Sequence, residues 1–147
     1  MMFAGVVEVG RLFQVYNATN RLATQYANVF ADCSDSPAGI CNNELAALGS
    51  PNAIANIVPQ LQASLLSVNI FQVSMSGTTP TVVYCFPAGA SLTASQKLAA
   101  QGVLLSGDSG VVITATYNHS LQFFRTLMSS WLGGALSPSY TAVQIKG

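Results

Sequence analysis

The first thirty residues, MMFAGVVEVGRLFQVYNATNRLATQYANVF, place apolar side chains at helical intervals. Met2, Val6, Val9, Phe13 and Tyr16 step by four and three, and Val15, Leu22, Tyr26 and Val29 form a second seam. Both patterns predict one helix from Met1 to Ala31, free of proline. At ~1.5 Å per residue it would be roughly 45 Å long. Its first third is apolar nearly all round, whereas Asn17, Asn20, Arg21, Gln25 and Asn28 put polar positions on the rest. Such a helix changes surroundings part-way, from an apolar medium to the surface of a domain.

Asp32 to Asn43 reads as a loop, punctuated by Pro37 and Gly39. NNELAAL opens a second helix with Asn42 or Asn43 as cap. GSPNAIANIVPQLQASL continues it from Ser50 and Pro51, and Pro59 predicts a kink or break. Beyond Leu66 the period drops to two. SVNIFQVSM predicts a strand with Val68 and Ile70 on one face and Phe71, Val73 and Met75 on the other. TVVYCF predicts its antiparallel partner across the turn SGTTP. A short helix should run from a Thr93 cap to Ala100. VVITATYNHS is the clearest strand, with Val111, Ile113, Ala115 and Tyr117 on one side and Val112, Thr114 and Thr116 on the other. LQFFRTLMSSWLGGAL reads as a short apolar helical segment, and SYTAVQIK as a last strand. The fold class is therefore α+β: a long N-terminal helix, residues 1–31, leading into a head, residues 32–147, with an antiparallel sheet of about four strands and short helices.

Composition sharpens this picture. Only 7% of residues are charged and 50% are hydrophobic, against roughly 25% charged in an ordinary soluble domain. Five acids balance five bases, which argues against nucleic acid as a partner, since phosphates demand a basic stripe. A charge-poor surface is weakly defended against self-association and suits a subunit packed against copies, partners or lipid. No signal peptide of the usual form is visible. Nor does any stretch reach the ~20 apolar residues that span a bilayer. Cys33, Cys41 and Cys85 fit no zinc spacing. Cys33 and Cys41 bracket the turn-rich SDSPAGI and are the candidate disulfide, given an oxidising compartment. The alternative is three buried thiols acting as small hydrophobes.

Candidate chemistry is sparse. Gly107-Asp108-Ser109-Gly110 matches the tetrapeptide around the nucleophile of trypsin-like serine proteases. A nucleophile needs a base held by a third group, and the only histidine, His119, lies ten residues on, past a strand. Such a strand separates its ends by roughly 30 Å, so GDSG reads as a polar turn feeding a strand. One histidine and scattered carboxylates predict no metal site, no general acid/base pair and no cofactor. The sequons at Asn17 and Asn118 matter only in a glycosylating route, and one lies inside a helix.

Glu8 and Arg11 stand three apart on neighbouring helix positions. A charge in an apolar medium is costly and is usually paired or functional. Glu8 either pairs with Arg11 at a membrane–water boundary or neutralises a cation on a neighbouring subunit. At this point GVVEVGRLFQVYNATNRLATQYA resembles the helix of TadE/TadG-like proteins, pilin-like components of bacterial tight-adherence (Flp-type) pili. The shared features are an apolar stretch running into the acid–glycine–arginine step, Glu8-Val9-Gly10-Arg11, and the polar helix after it. VVITATYNHSLQFF is similar to their late strand. Members carry a longer apolar stretch upstream of that step, so one is expected ahead of Met1. The resemblance implies a pilin-like structural subunit without catalysis, anchored in the inner membrane before assembly, with its head outside the cytoplasm or on a surface filament. Its partners would be other pilin-like subunits. Phe3, Val6, Val7, Leu12, Phe13 and Tyr16 would make the helix contacts, with Glu8 and Arg11 beside them. A secreted or periplasmic binding or adhesion module is the competing expectation.

Overall fold

A computed structural model describes residues 2–32, 43, 47, 51–119 and 137–146. The Cys33–Cys41 pairing, the NNELAAL helix start and the LQFFRTLMSSWLGGAL segment lie outside them, wholly or in most of their residues. Helix α1 spans Met2–Asp32 and α2 spans Pro51–Ile57; a single 3-10 turn, Ala63–Leu65, leads into β1, Leu66–Ser76. Then follow β2 (Thr79–Phe86), α3 (Ala94–Val103), β3 (Ser109–Tyr117) and β4 (Ser139–Ile145). The sheet runs β2-β1-β3-β4 with every neighbour antiparallel. The chain is α+β, with the four-stranded antiparallel sheet that the alternation predicts.

Alternation decides which layer each strand residue joins. Ile70, Val111, Ile113, Ala115 and Tyr117 point to one face and build a core with Val15, Leu22, Tyr26 and Phe30 of α1 and Ile54 and Val58 at α2. Phe71, Val73, Met75 and Val112 point to the other and pack with Leu92, Ala100 and Leu104 around α3. The sheet is thus sandwiched between helices, and central β3 is buried on both faces. The second half of α1 is core: Ala18, Leu22, Ala23, Tyr26 and Ala27 recur at three- and four-residue steps and are all buried.

Local chemistry fixes the joints. α2 stops at Ile57, two residues before Pro59, whose missing N–H and ring cannot continue a helix. β1 and β2 are joined by Gly77-Thr78, with Ser76 opposite Thr79 and Gly77 at φ +61°. A two-residue hairpin loop with a left-handed first residue is the II′ type, which favours glycine there. At α3 the Thr93 hydroxyl accepts from the Gln96 N–H, and Thr93 N–H donates to Gln96 Oε1, a reciprocal capping box. Gln96 is buried, and its Nε2 donates to Thr114 Oγ1 at 2.8 Å; Thr114 in turn shares a hydrogen with Thr141 at 2.9 Å. This chain of bonds ties α3 to β3 and β4.

Candidate functional site

The first half of α1 carries different chemistry on its different sides. Its sheet-facing line continues from Leu22 and Val15 back to Glu8, one heptad apart each time. Glu8 is accordingly only 2% exposed. One flank is apolar and open: Val6 is 72% exposed, Val9 55%, Phe13 66% and Tyr16 45%. Val7 is exposed on the opposite side and Leu12 is half-buried. The Phe3 side chain lies outside the described residues. Among the described residues, no helix is long and apolar enough to cross a membrane.

Val9, Leu12, Phe13 and Tyr16 line one wall of a groove of about 600 Å³, and Ser137, Pro138 and Ser139 line the other. Tyr16 closes the groove against β4, with its ring edge-on to Tyr140 at a centroid distance of 4.6 Å. The sequence pattern foretold the Val6, Val9, Phe13 and Tyr16 seam; Pro138, after a segment with no readable register, it could not place.

The polar side of α1 borders a smaller cavity of about 120 Å³, lined by Arg11 and Gln14 of α1, Gln60 and Gln62 from the turn after α2, and Tyr117 and His119 at the end of β3. Tyr117 Oη accepts from the Gln62 N–H at 3.4 Å. His119 stacks obliquely on Tyr117, 6.5 Å between centroids. Its Nε2 is buried and has no hydrogen-bond partner. Burial pushes the His119 pKa below its ordinary value; the Glu8 charge opposes this and the Arg11 charge adds to it. Glu8, Arg11 and His119 therefore share one electrostatic neighbourhood. Sequence reasoning paired Glu8 with Arg11 but missed His119, Gln60, Gln62 and Tyr117, which no short-range spacing connects to them.

The GDSG tetrapeptide is a structural corner. Asp108 Oδ2 accepts from Leu105 N–H at 2.8 Å, and Gly107 sits at φ +94°. A Cβ on Gly110 would lie 2.5 Å from a Leu104 δ-carbon and 2.9 Å from the Gln144 carbonyl oxygen. Ser109 opens β3 opposite Ser74, while His119 lies past its other end. Cys85 is a free thiol on β2. Among the described residues, no group of three or more His, Cys, Asp or Glu side chains could hold a metal ion.

Fold and site together define an α+β protein with an open apolar flank on α1 and polar pockets beside it. No protein-family model, curated protein or solved structure matches the chain.

Proposed function

We propose that the chain is a structural or assembly subunit of a bacterial surface pilus, of the TadE/TadG-like minor-pilin kind. In this reading it docks to neighbouring pilin-like subunits through the Val6, Val9, Phe13 and Tyr16 flank of α1 and rests against the inner membrane before assembly. One observation carries it: four large apolar side chains stand exposed along one flank of a helix whose other half is core. Fully burying one such side chain is worth about 1.5–3 kcal/mol. The partial exposures here add up to roughly the lower end of the cost of bringing two proteins together. A single pair of flanks would therefore hold weakly, whereas repeated packing along a filament, or contact with acyl chains, would hold well.

Phe13→Asp tests the reading. It places a charge in the middle of the flank, on an exposed position that the head does not need. The variant should fold with unchanged melting but be missing from sheared surface filaments and shift out of the membrane fraction. Normal incorporation of a charged residue 13 into filaments would contradict the proposal.

A further inference from the structure

We propose that the open edge of β4 pairs with β4 of a second copy of this chain, antiparallel, so that the two sheets join into one. The surface is a strand edge rather than the α1 flank, and it does not depend on a role in pili.

β2 and β4 are the two edges of the sheet, and they are built differently. Between β1 and β3, Met75 N–H donates to the Asp108 carbonyl and Asn118 N–H to the Leu65 carbonyl. Antiparallel bonding alternates along a strand, so Met75 turns its backbone to β3, and Pro80, opposite Met75, turns its nitrogen to the outside. A proline there offers no N–H to an incoming strand. Val83 is an extra residue in β2, between Val82 opposite Val73 and Tyr84 opposite Gln72. Proline and bulge both blunt an edge. β4 has neither: its register with β3 is unbroken from Ser139 to Ile145, and that stretch holds no proline and no charged side chain.

The bonding phase shows what β4 offers. Tyr117 N–H donates to the Pro138 carbonyl and Lys146 N–H to the Ser109 carbonyl, at 3.0 and 2.9 Å. Alternation then turns Ser139, Thr141, Val143 and Ile145 away from β3, with N–H and C=O directed outward. Among the described residues, no strand pairs with β4 on that side.

The strand fits itself. Full overlap about a two-fold axis sets Ala142 against Ala142 of the second copy, Thr141 against Val143, Ser139 against Ile145 and Tyr140 against Gln144. Outward residues then meet outward residues throughout, and each such pair exchanges both backbone bonds. β-branched side chains face each other at Thr141 and Val143, a favourable cross-strand pair. Lys146, the charge nearest the strand, falls at opposite ends of the joined pair, against Pro138, so no like charges are opposed.

Velocity sedimentation of the full-length protein over a range of concentrations, with residue-resolved amide exchange on the same samples, tests the pairing. The expected result is a monomer–dimer equilibrium in which the amides of Ser139, Thr141, Val143 and Ile145 exchange quickly in the monomer and slowly in the dimer. Those of Tyr140, Ala142 and Gln144, bonded to β3, should be slow in both. In a mixture of isotope-labelled and unlabelled chains, Ala142 Hα should show a cross-chain proton contact with its own counterpart, since the Cα atoms of such a pair lie about 4.5 Å apart. Ile145→Pro removes an outward N–H at an exposed position and should weaken the dimer roughly tenfold, in keeping with one backbone bond lost from each copy. Unchanged monomer melting excludes misfolding as the cause. The proposal is overturned by a monomer at every concentration, by a dimer in which the alternating protection is missing, or by an Ile145→Pro dimer as tight as the parent. Slow exchange of the outward amides in the monomer would show that the chain covers its own edge, and would overturn it too.

Discussion

Two apolar seams run along α1, similar in composition and opposite in fate. Val15, Leu22 and Tyr26 lie in the core beneath the sheet, whereas Val6, Val9, Phe13 and Tyr16 face outward, and so does Val29, which periodicity places on the inner seam. Helical periodicity reveals both seams but assigns neither a partner. Among the described residues, the sheet offers apolar side chains to the line through Val15, Leu22 and Tyr26, and beside the outward flank stand Tyr140 and Pro138. The helix is anchored along one line, from Glu8 through Val15 and Leu22, and its first half presents an open flank. Apolar character alone therefore says little about burial; the counterpart surface decides.

Substitutions should divide along the same line. Leu22→Ala removes side-chain volume from a fully buried site and should lower stability by about 2–5 kcal/mol. Phe13→Ala, at an exposed site, should stay within about 0.5 kcal/mol. Urea unfolding of the two variants measures the contrast, and equal losses would erase it. Gly110→Ala forces a methyl group against Leu104 and the Gln144 carbonyl and should cost about 1–3 kcal/mol. A melting curve superposed on that of the parent would show that β3 and β4 have slack there. Gln96→Ala leaves Thr114 without its α3 partner and should cost about 1–3 kcal/mol. Faster amide exchange in α3 than in α1 would place that loss on the outer layer.

Proton linkage gives the smallest effects. His119 is held below its ordinary pKa of 6.5, so the unfolded chain takes up the proton first. Its contribution is complete above pH 6.5 and is lost as pH falls through the folded value. His119→Gln should flatten that part of the stability–pH curve; an unchanged slope would assign it to carboxylates. At the alkaline end burial raises the Tyr26 phenol to about 12. Stability should then decline as pH climbs from 10 towards 12, with an ultraviolet phenolate signal that appears together with unfolding.

The sheet was largely legible because strand alternation has a short, local period. Val68 and Ile70 fell on one face and Phe71, Val73 and Met75 on the other, as their spacing required. Pro59 and Thr93 marked helix boundaries by backbone chemistry that needs no tertiary context. The site was less legible. Glu8 shares a heptad line with Val15 and Leu22, so its inward position was written in the spacing, but its charge drew attention to a membrane boundary instead. Arg11 and His119 stand more than one hundred residues apart and meet only because β3 ends beside the first half of α1. Gln60 and Gln62 reach the pocket from a turn that carries no motif.

Site-specific photo-crosslinking in intact cells tests the division of α1 most directly, with the reactive group placed at Phe13 in one strain and at Leu22 in another. The account predicts ultraviolet-dependent adducts to neighbouring subunits from position 13 and only internal adducts from position 22. Intermolecular adducts from both positions, or from neither in cells bearing pili, would contradict it.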